Sequence, residues 1–308
     1  MAHQTAEINE TLVRALIADQ FPQWAELSIQ PVSQRGWDNR TFLVGNEMVA
    51  RLPSAAEYEA QVHREQRWLP HLRTYLPVEI PEPLALGQPG CGFLWAWSVY
   101  RWIPGATAAI SPPTDSSQFA TDLAAFLNAL HRAPAKDGPA PGRENFFRGG
   151  DLAVYDQQLR KAVTSMASRI DTAAALEVWS VALASSWSER PVWVHGDYSL
   201  GNLLVRQGKL AAIIDFGQLC AGDPACDLAI AWTYLRGKDR ATFLNQVAVD
   251  SETRERGCAW ALWKAAIVAA GLVQTNAVEG QVAWQTIGEI LADHSRTEAS
   301  LKKLLPSS

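Results

Sequence analysis

The chain has 308 residues and a mass of 33.8 kDa, room for one large core or two modest ones, and its 48% hydrophobic and 19% charged residues are those of an ordinary globular protein. A net charge of −5 argues against a general nucleic-acid binder, which would normally show a basic face, and it suits a cationic substrate without requiring one.

In chain order, Ile8, Leu12, Val13, Leu16 and Ile17 share one face of a short amphipathic helix. Strand-like pieces follow at 27–32, 41–44 and 48–52, the last two joined by a Gly45-Asn46 turn. Residues 57–72 read as a helix with Tyr58, Val62, Leu69 and Leu72 on its inner side, and Pro70 is expected to kink it or end it early. Strands at 84–87 and 95–103 close a five-strand reading. After Pro104-Gly105 the character changes to helices, at 118–131, 152–166, 173–186, 225–235 and most of 252–291, with a Pro- and Gly-rich loop at 133–148. Within this part, 203–205 and 210–214 flank Gln207-Gly208 as strand, turn, strand. Asp223-Pro224 is a good helix start, Asp capping and Pro in the first turn. No internal repeat or low-complexity segment is present.

Four cysteines (Cys91, Cys220, Cys226, Cys258) lack metal-ligand spacing and are too few for a disulfide scaffold. The opening MAHQTAEINET lacks the basic-then-apolar order of a signal peptide, and the longest apolar stretch, 259–273, is split by Lys264. A cytoplasmic location with no membrane partner is therefore expected.

The run His195-Gly196-Asp197-Tyr198-Ser199-Leu200-Gly201-Asn202 carries the most chemistry. Its Asp197 and Asn202 are five apart, the spacing of a kinase catalytic loop, where Asp accepts a hydroxyl proton and Asn holds magnesium. Asp215, thirteen positions beyond Asn202, opens the DFG-like Asp215-Phe216-Gly217, where a second metal ligand is expected. The hairpin between them is expected to bring all three side chains to one cleft.

The segments HGDYSLGNLLV (195–205), AAIIDFG (211–217) and GDPACDLA (222–229), preceded in order by GWDNRTFLV (36–44), VARLP (49–53), HREQRWL (63–69) and VYRWIPG (99–105), resemble the aminoglycoside phosphotransferase family. Its members are small-molecule kinases with a protein-kinase-like fold. The resemblance spans residues 28–236 and implies an α+β, bilobal chain. Its small β-rich N-lobe with the leading helix (1–103) would bind nucleotide, and its larger, mainly helical C-lobe (104–308) would carry the catalytic loop and acceptor site. It further implies ATP or GTP and Mg²⁺ as cofactors, and a small-molecule hydroxyl acceptor as partner. The resemblance is less specific for substrate, because relatives phosphorylate aminoglycosides, macrolides, choline, homoserine and sugar amines. An aminoglycoside-like antibiotic, and with it antibiotic resistance, is the expected acceptor reading. The alternatives are a macrolide kinase or a metabolic kinase for choline, a sugar or an amino alcohol. A nucleotide-binding pseudokinase is a further alternative, against which the intact Asp197, Asn202 and Asp215 argue. Nothing in the sequence fixes the oligomeric state.

A kinase needs a cation on its third strand, usually Lys oriented by a helix Glu. No lysine precedes Lys136, so the role falls to Arg51, at the end of strand 48–52, with Glu65 on the following helix as its partner. Arg keeps its charge and binds phosphate in a two-pronged way, but it is bulkier. The phosphate loop, 33–41, has Gly36 as its one glycine, so the side chains of Asn39 or Arg40 are expected to help, as is common in the family. By position in the hinge 98–103, the backbones of Arg101 and Ile103 are expected to meet the purine edge. Asp227 resembles the family's buried Asp that braces the catalytic loop, and His195 is expected to anchor that loop through hydrogen bonds. Of the thirteen tryptophans most belong to packing, while Trp232, Trp260, Trp263 and Trp284 are candidates for a substrate wall. Glu252, Glu255, Glu279 and Asp293 either receive an amine-rich substrate or form a solvated face.

Overall fold

The computed structural model describes residues 7–32, 38–275 and 277–304 of the chain. The chain divides into two compact units, the first from Met1–Thr114, Gly142–Phe146 and Gly201–Leu219, the second from Asp115–Pro141, Phe147–Leu200 and Cys220–Ser308.

The first unit begins with α1, Glu10–Gln20, capped by Asn9 Oδ1, which accepts from the Leu12 N–H at 3.0 Å. Strands β1 (Ile29–Pro31), β2 (Asn39–Val44) and β3 (Met48–Pro53) precede helix α2 (Glu59–Leu72), and β4 (Pro83–Gly87) and β5 (Trp97–Arg101) complete an antiparallel sheet of order β1-β2-β3-β5-β4. Period-two alternation gives the sheet two distinct faces. Phe42, Val44, Ala50, Leu52, Trp97 and Val99 pack with Leu12, Val13, Leu16 and Ile17 of α1 into one apolar core. Arg51, Ser98 and Tyr100 alternate with these residues and so face the other way, toward α2. Two further antiparallel strands, Leu203–Arg206 and Lys209–Ile213, form a hairpin in this unit, with Ala106–Thr107 paired to the first of them. Gln207 and Gly208 have φ of 53° and 76°, the double left-handed turn whose twist matches a two-residue hairpin.

The second unit is mainly helical: α3 (Ser116–Arg132), α4 (Asp156–Ser165), α5 (Thr172–Leu183), α6 (Ile230–Thr233), α7 (Gly237–Gln246), α8 (Ser251–Ala269) and α9 (Ala277–Leu304). A short antiparallel pair, Val192–Val194 with Cys220–Gly222, lies among them. Asp115, Asp171 and Asp250 cap α3, α5 and α8 through their carboxylates. Among the described residues no helix is long and apolar enough to cross a membrane.

Four local readings need correction. The β2–β3 connection runs through Gly45, Asn46 and Glu47, because Val44 pairs directly with Met48. Helix α2 continues past Pro70 to Leu72, since a proline in the last turn removes only one N–H bond. The segment read as a helix at 225–235 is a 3-10 coil, Pro224–Ala229, followed by the single turn α6. That narrow coil lies where α8 approaches closely: a Cβ on Gly257 would sit 2.7 Å from Leu228 Cβ. The long helical reading of 252–291 is two helices, broken at Gly271 (φ 67°), whose N–H bonds Val268 O while Leu272 N–H bonds Ile267 O, the paired bonds of a glycine C-cap.

Candidate active site

Strand alternation aims Arg51 at the face covered by α2, where Glu65 is buried. Arg51 Nη1 donates to both Glu65 oxygens at 3.1 and 3.2 Å, and Nη2 donates to Asp215 Oδ1 at 2.8 Å. Glu65 also accepts from the Tyr100 hydroxyl at 2.5 Å and the Phe216 N–H at 2.9 Å. Burial opposes the Arg51 charge, yet Glu65 and then Asp215 outweigh it and hold its pKa well above the ordinary value. Burial pushes the Glu65 carboxyl upward; Arg51 opposes this and the Asp215 charge adds to it. The Arg51–Glu65 contact expected from the sequence is therefore present, and the guanidinium has a second grip, on Asp215.

Removing Arg51 strands two carboxylates, one fully buried. Arg51→Ala is expected to lower the unfolding free energy by about 3 kcal/mol, the low end for breaking a buried ion pair, since Asp215 is partly solvated. Arg51→Lys should recover only part, because an ammonium lacks the planar fork that serves both carboxylates. Urea denaturation of the three proteins checks this, and an alanine variant as stable as the wild type contradicts it.

The hairpin sets the other two residues of this half. Asn202 immediately precedes strand Leu203–Arg206, Leu203 pairs with Ile213, and Ile214 N–H bonds Asn202 O at 2.9 Å. Asn202 and Asp215 therefore sit at the same open end of the hairpin. Asp215 has φ 65°, a left-handed conformation that Asp and Asn tolerate better than other side chains with a Cβ. Arg64 of α2 donates to the Gly217 carbonyl, and Asn145 Nδ2 donates to Gln218 O at 3.3 Å, so the segment after Asp215 is held from two directions. Neither contact has a sequence signal: Arg64 is one charge among several on α2. Among the described residues no group of three or more His, Cys, Asp and Glu side chains is placed to hold a metal ion. The amide and carboxylate oxygens of Asn202 and Asp215 are hard donors of the kind Mg²⁺ takes, one or two from protein and the rest from phosphate and water.

At the hinge, the Arg101 N–H is engaged by Glu82 O at 2.9 Å, while the Ile103 N–H has no partner among the described residues. Ile103 packs with Leu204, Ala212 and Ile214. Asn39 is buried at the start of β2, opposite Pro53. Residues 33–37 of the expected phosphate loop lie outside the described residues.

Asp197 belongs to the second unit. Its loop is braced as the resemblance implies: the N–H groups of His195 and Gly196 donate to Asp227 Oδ2 and Oδ1 at 2.7 and 2.8 Å. Gly196 has φ 86°, a conformation that favours glycine. The Asp197 N–H donates to His195 Nδ1 at 3.2 Å, and the Tyr198 hydroxyl to Leu123 O at 3.2 Å. Lys264 Nζ of α8 lies 3.2 Å from Asp197 Oδ1. Burial would raise the Asp197 pKa, but Lys264, then Arg148 and His195, overcome it and hold the carboxyl below the ordinary range. The charges bearing on Asp197 are thus mainly cationic. Of the acidic residues considered as substrate contacts, Glu252, Glu255 and Glu279 are exposed and Asp293 is engaged by Arg240 and Arg296. Trp232, Trp260 and Trp263 are buried, which makes them packing residues.

Burial lifts the Asp227 carboxyl to about 7, against the pull of its two N–H bonds. A carboxyl with a raised folded-state pKa holds its proton better when folded, so the wild type loses stability relative to Asp227→Asn as pH rises from 3.8 to about 7. The variant loses one of two acceptors and should be less stable by about 1–3 kcal/mol near pH 5, with the deficit shrinking toward neutrality. Denaturation at several pH values checks the trend, and a deficit that grows with pH contradicts it.

The family model described as APH, phosphotransferase enzyme family, matches residues 28–260. An aminoglycoside 3'-phosphotransferase of Escherichia coli is 32% identical over 147 residues, covering 46% of this chain and 53% of that protein. A second from Escherichia coli is 47% identical over 124 residues, covering 37% and 42%. The chain spans about half the length of the curated relatives it matches. Among solved structures, the GDP complex of a mutant aminoglycoside 2'-phosphotransferase-IIIa superposes with a TM-score of 0.70 at 19% identity, covering 92% of this chain and 98% of that one. A macrolide 2'-phosphotransferase type I gives 0.59 at 23% identity, covering 89% and 94%. At these identities the likeness is one of fold, and it is the α+β, kinase-like fold expected from the motifs. With residues 28–260 matched, the chain belongs to the phosphotransferase enzyme family.

Proposed function

We propose that the chain transfers the γ-phosphate of ATP or GTP to a hydroxyl group of a small molecule, with an aminoglycoside-like antibiotic as the leading acceptor. The observation that carries this reading is the Arg51 guanidinium joining Glu65 and Asp215, with Asn202 and Asp215 at one hairpin end. A cation, an orienting acid and two oxygen donors are the parts phosphoryl transfer uses, since its catalysis is mostly positioning and charge stabilisation.

In this reading residues 1–103 bind the nucleotide and residues 104–308 carry the catalytic loop and acceptor site. The Arg101 carbonyl and Ile103 N–H meet the purine edge, and Ile103, Leu204 and Ala212 contact its face. Arg51 offsets phosphate charge, and the Asn39 side chain helps to hold phosphate. Asn202 and Asp215 hold Mg²⁺, which when bound neutralises charge on the β- and γ-phosphates. Asp197 orients the acceptor hydroxyl and takes its proton as the new O–P bond forms and the nucleoside diphosphate leaves with the electrons of the broken one. The aminoglycoside acceptor is supported by the sequence likeness to aminoglycoside 3'-phosphotransferases. Nucleotide turnover against a panel of aminoglycosides, macrolides and small metabolic alcohols tests the reading: acceptor-dependent release of diphosphate is expected with at least one aminoglycoside. Turnover with choline, a sugar or a macrolide alone would keep the mechanism and replace the acceptor.

A further inference from the structure

Lys264 is the one charge in the apolar run 259–273, and nearly half of its side chain is exposed while Trp260, Trp263, Ala265 and Ala266 around it are buried. An ion pair this exposed adds little to folding stability, so its contact with Asp197 calls for another reason. The helix that carries it is firmly seated. Trp263, the preceding residue, stacks on Tyr155 with ring centroids 3.9 Å apart and donates from Nε1 to Gln158 Oε1 at 2.9 Å. The Arg148 guanidinium lies 5.2 and 5.1 Å from the rings of Trp260 and Trp263. Around Asp197 the charged groups are Lys264 from α8, Arg148 and, opposing them, the Asp227 carboxyl, while the His195 ring of the same loop accepts from the Asp197 N–H.

We propose that Lys264 is a positioning residue for phosphoryl transfer: its ammonium, 3.2 Å from Oδ1, fixes the rotamer in which Asp197 meets the acceptor hydroxyl. The inference rests on the reading of Asp197 as the catalytic carboxylate. A carboxylate gripped at one oxygen loses rotational freedom before the acceptor arrives, which is the kind of preorganisation that raises kcat with little change in binding. Arginine at 264 can reach the same oxygen and keep the charge.

The test has two arms. In the first, carbon-13 NMR follows the Asp197 side-chain carboxyl through a pH titration, assigned with Asp197→Asn, and needs no acceptor. Because a nearby cation favours the ionised form, Lys264→Met should move the midpoint upward and Lys264→Arg should return it toward the wild type. In the second, kinetics with kanamycin as the probe acceptor should show kcat about fivefold lower in Lys264→Met, the rate equivalent of one partly exposed ion pair. KM for nucleotide should stay unchanged, the acid limb of kcat should move to higher pH, and Lys264→Arg should recover most of the loss. An unmoved carboxyl midpoint in Lys264→Met, or unchanged kcat, overturns the inference. If the wild type leaves kanamycin unmodified, kanamycin is not its acceptor, and the NMR arm by itself supports or overturns the role of Lys264.

Discussion

Asp197→Ala is expected to lower kcat by about a hundredfold or more, the lower range for a positioned acid–base group, with nucleotide affinity nearly unchanged. The split follows from where the residues lie. Arg51, Glu65, Asn202 and Asp215 all belong to the first unit, while Asp197 stands on a loop of the second. That loop does not depend on the Asp197 side chain for its shape, because its backbone is bonded to Asp227 and His195. The variant should therefore fold, bind nucleotide and fail at transfer. Asp197→Asn sharpens the result: it keeps the size of the side chain and removes the charge that Lys264 grips and the basicity that accepts a proton. Steady-state kinetics with a turned-over acceptor, alongside calorimetric nucleotide binding, measures both terms. Near-normal turnover in Asp197→Ala removes it from the chemistry.

The second large effect is expected at Asp215. For the wild type, nucleotide at a hundred times its dissociation constant should stabilise the fold by about 2.7 kcal/mol, and Mg²⁺ should increase that stabilisation. Asp215→Asn should sharply reduce the metal-dependent increment, because the amide keeps an oxygen donor but loses the carboxylate charge. Asparagine is the better replacement because Asp215 has φ 65°, where alanine would add backbone strain that has nothing to do with metal. The variant also frees one arm of Arg51, so metal-free nucleotide affinity is the necessary comparison: it should hold or improve while the Mg²⁺ effect shrinks. Thermal shift with nucleotide, with and without Mg²⁺, reads both. A metal-dependent shift of wild-type size in Asp215→Asn takes Asp215 out of the metal site.

What the sequence made legible was whatever depends on spacing and period. The two-residue Gln207-Gly208 turn, the strand runs at 41–44 and 48–52 and the apolar stripe of α1 are local signals, and the structure carries all three. The Arg51–Glu65 contact was legible because lysine is missing from the whole segment before Lys136, which left Arg51, at the end of the strand before α2, as the best placed cation for a helix glutamate. Less legible were elements whose boundaries come from packing. Helix α7 holds few apolar residues, so its ten-residue span gives a weak periodic signal, and the 3-10 coil at Pro224–Ala229 reflects the close approach of Gly257. Contacts between distant positions had no local signal at all: Arg51 with Asp215, Arg64 with Gly217, Tyr100 with Glu65. Lys264 is the instructive case. Its interruption of an apolar helix was visible in the sequence, but only the fold puts its ammonium beside Asp197.

The proposed activity is transfer of a phosphate onto a small-molecule hydroxyl. Mass spectrometry of kanamycin and other aminoglycosides, macrolides and small alcohols, each incubated with the wild type, nucleotide and Mg²⁺ and in parallel with Asp197→Ala, tests it most directly. An acceptor carrying one added phosphate is expected in the wild-type reaction and almost none with the variant. A wild type that binds nucleotide yet leaves every acceptor unmodified, or a variant that phosphorylates as well as the wild type, would contradict it.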